Sequence, residues 1–184
     1  IRPVMESMTI GSPEPAKPDH REIEAASRAE ALGLGTPRFQ NSNDMVLAGI
    51  KQTYMFVSRS TIPAQWERFA PHIGAIPGQV GNVAYGVCSS YKADGGFDYM
   101  SAVEVSGADS LPASFSVLQL PARRYAVFAH NDHVSMIPKT IDAIWNKWLP
   151  ASGLKAAEAP CFERYSEQFD PKTGTSGMEI WVPI

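Results

Sequence analysis

The chain of 184 residues contains one stretch of sequence in two related copies. Residues 62–74 align with residues 141–153 without a gap, at an offset of 79. The matched pairs are Ile62 with Ile141, Ala64 with Ala143, Trp66 with Trp145, Arg68 with Lys147, Phe69 with Trp148, Pro71 with Pro150, and Gly74 with Gly153. Solenoid repeats are shorter, at roughly 20–50 residues. The offset therefore predicts two copies of a small α+β unit that face each other, and seams between structural halves are common places for ligand pockets.

The composition is that of a chain with a buried core. Hydrophobic residues make up 44% and aromatic residues 10%, which is ample for a buried core. The length of 184 residues favours one domain or two fused half-domains sharing a core. The net charge is −3, the pI is about 5.8, and the Lys and Arg residues are scattered. A nucleic-acid binder shows a basic stripe. We therefore expect no nucleic-acid binding through this chain alone.

The sequence also bears on compartment. No stretch approaches 18 apolar residues and no signal peptide is visible, so we expect a cytoplasmic protein with no membrane partner. The two cysteines, Cys88 and Cys161, allow one disulfide, but reduced thiols in a cytosolic protein are the simpler interpretation.

Residues 1–43 form a leader or arm. Four prolines in residues 1–19 indicate irregular structure. Asp19 is a suitable cap for a helix over residues 20–32, which Gly33 and Gly35 would end. The predicted apolar face of this helix is thin and consists of Ile23, Ala26 and Leu32.

The first repeat unit, residues 44–106, has a β-α-β-β pattern. An apolar strand at 45–57, with Gly49 as a candidate bulge, precedes a helix that Ser60 or Thr61 would cap. Pro63 suits the first turn of this helix because it lacks an N–H. Two strands at 82–91 and 97–105 flank a hairpin turn at 93–96.

The second unit, residues 115–184, repeats the pattern. Its predicted elements are strands at 115–120 and 124–130, a helix from Pro138 to about Trp148 or Leu149, and strands at 162–169 and 178–184. At the offset of 79, residues 99–105 fall on 178–184, so the repeat includes the closing strand. The predicted fold class is α+β, with duplicated β-α-β-β units related by pseudo-twofold symmetry, an antiparallel sheet and two long helices.

One carboxylate stands out in the second unit. Strand alternation places Glu163 on the same face as Cys161 and Tyr165, and its counterpart in the first unit is Ala84. A carboxylate among aromatic residues costs free energy unless a positive group pairs with it. A salt bridge or a surface position on an edge strand is the alternative interpretation.

Other motifs favour no cofactor and no metal. The sequence His130-Asn131-Asp132-His133 reads as a polar loop after a strand, because no HExxH motif or cysteine pair supports a metal site. A nucleophilic Cys88 or Cys161 would need a partner histidine that the sequence does not place.

Several motifs resemble those of a known family. They are Tyr125-Ala-Val-Phe128-Ala-His130, Ile137-Pro-Lys-Thr-Ile141, Trp145, Trp148-Leu-Pro150, Pro160-Cys-Phe162-Glu163-Arg-Tyr165 and Glu179-Ile-Trp181-Val-Pro183-Ile184, with Ile62-Pro63, Trp66, Tyr85-Gly86-Val87 and Phe97-Asp-Tyr99 in the first unit. Residues 44–184 thus resemble the gyrase-inhibitor-like (GyrI-like) effector-binding domain, which is also the C-terminal domain of AraC- and MerR-type multidrug regulators. The loop at 130–133 departs from the family's usual His-x-Gly, and residues 1–43 match nothing in it and show no helix-turn-helix.

The resemblance implies a pocket at the pseudo-twofold seam, lined by aromatic residues around a central Glu163. Tyr165, Trp145, and Tyr85 or Tyr99 are the implied wall residues. Aromatic faces beside a carboxylate suit an organic cation.

Three functions remain open at this point. The first is binding of hydrophobic small molecules, cationic ones in particular. The second is hydrolysis of reactive alkylating compounds, with Glu163 as the general base. Of the two, we expect a binding protein rather than an enzyme. The third is a protein-interaction module of the gyrase-inhibitor type, for which a seam closed by packed side chains is expected. A homodimer is compatible with all three.

Overall fold

The computed structural model describes residues 16–184, so residues 1–15 of the irregular leader predicted for residues 1–19 lie outside it. The helices are α1 (His20–Ala31), α2 (Ile62–Phe69), α3 (Ile137–Ala143) and α4 (Leu149–Ser152). The strands are β1 (Arg38–Asn41), β2 (Met45–Met55), β3 (Gln79–Ser89), β4 (Gly96–Val105), β5 (Ser116–Leu120), β6 (Arg124–His130), β7 (Cys161–Tyr165) and β8 (Met178–Pro183). A π-helical segment, Ile144–Trp148, joins α3 to α4, so the second long helix runs from Ile137 to Ser152.

All eight strands form one antiparallel sheet in the order β1-β6-β8-β7-β3-β4-β2-β5. The duplicated α+β architecture is therefore confirmed. Strands β2, β3 and β4 of the first unit occupy one half of the sheet and strands β6, β7 and β8 of the second unit the other, and the two halves meet where β3 pairs with β7. The edge strands cross over: β5, from the second unit, pairs with β2, and β1, from residues 1–43, pairs with β6.

The seam between β3 and β7 carries the pseudo-twofold axis. Tyr85 pairs with Arg164 across it, and these two residues are separated by the repeat offset of 79. The two neighbouring pairs are Gly86 with Glu163 and Ala84 with Tyr165. The offset of 79 makes Ala84 equivalent to Glu163 and Gly86 equivalent to Tyr165, so the axis relates one pair to the other. The symmetry therefore breaks one residue from the axis, because the second unit has Glu163 at the position where the first unit has Ala84.

The sheet buries both of its faces. One face packs against α2 and α3, with Phe69 covering one half and Ile137 contacting Tyr165 and Met178 in the other. We call this the helix face. The opposite face holds a cluster drawn from seven strands, and its members are Leu47, Tyr85, Val87, Met100, Ala102, Leu120, Tyr125, Val127, Phe162 and Trp181. Because this cluster is buried without a helix over it, the sheet must curl so that its two ends approach each other.

Helix α2 is held to the helix face by a buried amide. Gln65 is fully buried, and its Nε2 donates to the carbonyl oxygens of Ile50 (2.9 Å) and Tyr99 (3.1 Å). Its Oε1 accepts from the hydroxyl of Tyr54 at 2.7 Å. With donors and acceptor both satisfied, the amide specifies where α2 sits on the sheet.

The leader helix has the predicted cap but a different buried face. The Asp19 side chain accepts from the Glu22 N–H at 2.9 Å, and the Glu22 side chain accepts from the Asp19 N–H, forming a capping box. Ala25 and Ala29 are buried, whereas Ile23 is 53% exposed, so the expected Ile23-Ala26-Leu32 face was wrong. The small alanines allow α1 to lie close to the second long helix, where the Trp148 indole donates to the Ala25 carbonyl at 2.8 Å.

Three local expectations also need correction. Gly49 is not a bulge, because β2 pairs with β4 without a break; a Cβ there would lie 1.8 Å from the Ser101 carbonyl oxygen, so the position needs glycine for close backbone approach. The expected strand at 45–57 ends at Met55, where a 3-10 turn begins. The expected strand at 162–169 ends at Tyr165.

Candidate functional site

Glu163 lies at the centre of the helix face, one residue from the pseudo-twofold axis. It is 8% exposed and sits opposite Gly86 on one side and Ile180 on the other. A Cβ on Gly86 would lie 2.4 Å from Glu163 Oε2 and 2.1 Å from the Tyr99 hydroxyl. The absence of a side chain at Gly86 therefore provides the room that the carboxylate occupies.

Two tyrosine hydroxyls hold the carboxylate. Tyr99 donates to Glu163 Oε2 at 2.7 Å, and Tyr165 donates to the same oxygen at 3.1 Å. The indole Nε1 of Trp66 donates to the Tyr99 hydroxyl oxygen at 2.9 Å. The hydroxyl hydrogens of Tyr99 and Tyr165 are therefore both directed to the carboxylate.

The aromatic rings around Glu163 pack edge to face. Trp66 lies 5.4 Å from the Tyr165 ring centroid and 6.5 Å from that of Tyr99. Phe169 packs against the other edge of Tyr165, at 5.1 Å. The seam beside Glu163 is therefore filled by side chains rather than open.

Burial raises the pKa of Glu163 to about 7, against the opposing effect of the hydrogen bonds from Tyr99 and Tyr165. Within residues 16–184, no Lys or Arg forms a salt bridge with it. Burial, together with the charge of Glu163, raises the pKa of both tyrosines well above the ordinary value. The site thus holds a carboxylate with hydroxyl donors but without a counterion among the described residues.

A surface pocket of about 400 Å³ lies beside this cluster. Ala84, Tyr165 and Phe169 are among its lining residues, and Glu163 is not. Tyr165 therefore stands between the pocket and the carboxylate.

The structure brings together three of the five residues proposed from the sequence: Glu163, Tyr165 and Tyr99. Tyr85 lies on the opposite face of the sheet, in contact with the Phe162 ring at 5.6 Å, because neighbouring residues of a strand point to opposite faces. Trp145 packs against the cluster around Phe128 and Trp148 under α1. In the described part of the chain it makes no hydrogen bond or aromatic pair with the carboxylate cluster.

Trp66 was missed as a site residue, although the repeat contained the signal for it. Trp66 and Trp145 are equivalent at the offset of 79, and the sequence alone does not say which one faces the carboxylate. The packing of α2 on the sheet places Trp66 there.

The two halves are also joined above the sheet. The Arg59 guanidinium donates to both carboxylate oxygens of Asp142, at 3.3 and 3.2 Å, which links the turn before α2 to α3. A bidentate pair of this kind has a defined geometry. It is a direct side-chain link between the two repeat units.

Neither a metal centre nor a membrane span is formed by the described residues. Residues 16–184 contain no group of three or more His, Cys, Asp or Glu side chains placed to hold a metal ion. His130 instead hydrogen-bonds the His133 carbonyl oxygen through Nε2 at 2.9 Å. No helix in the same range is long and apolar enough to cross a bilayer.

The duplicated α+β unit forms a single curled sheet with two helices on one face, and comparison with known proteins identifies the class of domain. Residues 35–184 match the GyrI-like small molecule binding domain. The chain belongs to the GyrI-like family. This match begins before β1, the strand that pairs with β6 at the edge of the sheet.

Relatives of this chain include a transcriptional regulator. The chain is 32% identical over 126 residues to BrlR of Pseudomonas aeruginosa strain PAO1, a match that covers 67% of this chain and 46% of BrlR. The matched region therefore spans less than half the length of that relative.

Solved structures share the fold. SAV2435, solved bound to tetraphenylphosphonium, superposes with a TM-score of 0.65 at 23% identity, covering 80% of this chain and 92% of SAV2435. EcmrR in its complex with DNA superposes with a TM-score of 0.60 at 12% identity, covering 89% of this chain and 65% of EcmrR. At these identities the likeness establishes the fold.

Proposed function

We propose that this domain binds lipophilic organic cations at Glu163. The observation that carries the proposal is the buried carboxylate, which has two hydroxyl donors and no cationic partner among the described residues. A delocalised cation completes the charge pair, and its apolar groups tolerate the buried environment. The faces of Trp66 and Tyr165 add cation–π attraction.

Binding requires a rearrangement, because Glu163 is covered. The cation enters from the 400 Å³ pocket and displaces the Tyr165 ring from the carboxylate. Trp66 moves with it, since the two rings are in contact. The displaced contacts lower the net affinity, so we expect a dissociation constant in the micromolar range, which corresponds to a binding free energy of about −8 kcal/mol.

Titration with tetraphenylphosphonium, followed by calorimetry and by tryptophan fluorescence at pH 8, tests the proposal. Glu163→Gln keeps the shape of the side chain and removes the charge, so we expect its affinity to fall by at least about tenfold, or 1.4 kcal/mol. Glu179→Gln is the matched control, because Glu179 is on the neighbouring strand and is paired with Arg38. Equal affinities for wild type and Glu163→Gln would rule out charge pairing at this residue.

A protein-interaction module is the second candidate, and the packed seam favours it. The turn after β2 also exposes apolar side chains, with Val57 89% exposed and Phe56 more than half exposed. This candidate predicts inhibition of DNA gyrase supercoiling by the added protein, with no cation binding by wild type. Tetraphenylphosphonium binding that depends on Glu163 would leave it without support.

Hydrolysis is the third candidate, and the pKa of about 7 favours it, because a general base is most effective when its pKa lies near the working pH. Turnover of an electrophilic cyclopropane substrate, lost in Glu163→Gln, is its test. Binding of the same compound without product formation would exclude it for that substrate.

A further inference from the structure

The two cysteines of the chain meet across the seam. Cys88 of β3 is directly opposite Cys161 of β7 in the strand register, and both are free thiols. Directly opposed residues of antiparallel strands have Cα atoms about 4.5–5.5 Å apart. Disulfides span Cα separations of about 4.4–6.8 Å, so the backbone already has a spacing that permits a bond.

The two thiols differ in their environment. The neighbouring Cys88 side chain lowers the pKa of Cys161, and its effect outweighs that of burial. The Cys161 side chain, together with burial, raises the pKa of Cys88. Cys161 is thus the sulfur that ionises first, as a nucleophile requires.

A small molecule has a route to the pair. Cys161 is 5% exposed, whereas Cys88 is partly exposed. The Tyr91 hydroxyl lies 3.5 Å from Cys161 Sγ, and Tyr91 is 63% exposed. Its ring stacks on Phe97 and is otherwise open to solvent, so a modest ring displacement uncovers the thiols.

We propose that Cys88 and Cys161 are a redox-active dithiol, which a small two-electron oxidant such as hydrogen peroxide converts to a reversible disulfide joining the two halves of the sheet. One sulfur, as the thiolate, attacks a peroxide oxygen; the O–O bond breaks, a sulfenic acid forms, and hydroxide leaves and takes up a proton. The second thiol attacks the sulfenic sulfur, forming the S–S bond and releasing the oxygen as water. Two thiols and one peroxide give one disulfide and two waters.

The cross-link acts at the floor of the candidate site. Cys161 and Glu163 are two residues apart on one face of β7, as Cys88 and Gly86 are on β3. A disulfide therefore joins the strand that carries Glu163 to the strand that makes room for it. The dithiol itself requires no ligand at Glu163, so its test is independent of cation binding.

The full chain, treated with hydrogen peroxide at neutral pH, is the test material. We expect the intact mass to fall by two hydrogen atoms, both thiols to become unreactive toward a thiol reagent, and a non-reducing peptide map to link Cys88 to Cys161. Dithiothreitol should reverse all three changes. Because the bond closes a loop of roughly 70 residues, the Tm should rise on the order of 10 °C.

Single-cysteine variants make the outcome decisive. Cys88→Ser and Cys161→Ser each retain one thiol, so neither should lose two hydrogens within a monomer or gain the Tm rise. Two variants guard against one of them failing to fold. Two results would overturn the proposal. In one, peroxide adds oxygen to each cysteine separately. In the other, both thiols stay reduced in the folded wild type while they oxidise in the urea-unfolded chain.

Discussion

Replacing Glu163 with glutamine should stabilise the protein, and more so as the pH rises. The folded-state pKa of Glu163 is about 7, above the ordinary value of 4.5, because burial disfavours the charged form. A raised carboxyl pKa means that the folded state holds the proton more tightly than the unfolded state. The associated stability is present below pH 4.5 and is lost as the pH rises to 7.

The size of the effect follows from the shift. The pKa of Glu163 is raised by about 2.5 units, and each unit corresponds to 1.36 kcal/mol. The wild type therefore loses about 3 kcal/mol of its free energy of unfolding above pH 7, and about 1 kcal/mol at pH 5. The glutamine of the Glu163→Gln variant has no charge to desolvate, and its side-chain oxygen can still accept from Tyr99 and Tyr165. The advantage of the variant should therefore grow by about 2 kcal/mol between pH 5 and pH 8, or roughly 4–8 °C in Tm for a chain of this size.

Urea unfolding of wild type and Glu163→Gln at pH 5, 6, 7 and 8, followed by tryptophan fluorescence, measures this difference. Glu179→Gln is the control of opposite sign. Burial raises the pKa of Glu179, but the hydrogen bond and charge of Arg38 outweigh burial, so the pKa stays below the ordinary carboxyl value. Its stability contribution is present above pH 4.5, and Glu179→Gln should destabilise there. Parallel stability curves for wild type and Glu163→Gln would refute the inference that Glu163 is a buried, unpaired carboxylate.

Three further outcomes are expected. Tetraphenylphosphonium should bind wild type about tenfold more weakly at pH 6 than at pH 8, because a carboxyl with a pKa of about 7 is mostly protonated at the lower pH; in Glu163→Gln the affinity should not change with pH. Gly86→Ala should lower the free energy of unfolding in urea by about 1–3 kcal/mol, because its Cβ would overlap the Tyr99 hydroxyl. Gly107→Ala is the control: its Cβ has open space around it, so its free energy of unfolding should stay within about 0.5 kcal/mol of wild type. Glu22→Gln should lower the free energy of unfolding by about 2 kcal/mol at pH 7, because the Glu22 carboxylate accepts two hydrogen bonds from the Arg124 guanidinium. These bonds are the main cause of the lowered pKa of Glu22, so the loss should shrink as the pH falls below 4.5.

Much of the fold could be predicted because its determinants are local. Alternation of apolar residues defines strands, and Asp19 followed by Glu22 defines a helix start, whatever the rest of the chain does. The internal repeat added long-range information that single elements lack, since two similar segments imply two similar units. It identified the position where Glu163 replaces an alanine.

The candidate site could be predicted only in part. Tyr165 was accessible to sequence reasoning because residues two apart on a strand share a face. The choice between Tyr85 and Tyr99 depended on which residues of β3 and β4 face α2, and Tyr85 proved to lie on the other face. The choice between Trp66 and Trp145 depended on helix packing, which no local pattern reports.

Residue type and spacing along the chain were enough to establish the duplication, the order of the elements, and the charge at Glu163. Each of these can be read within one segment or by comparing two segments. The three-dimensional packing was needed to establish that β3 pairs with β7, that Tyr99 and Trp66 enclose the carboxylate, and that Cys88 lies opposite Cys161. These contacts join segments far apart in sequence, so they depend on strand pairing and helix packing across the whole domain.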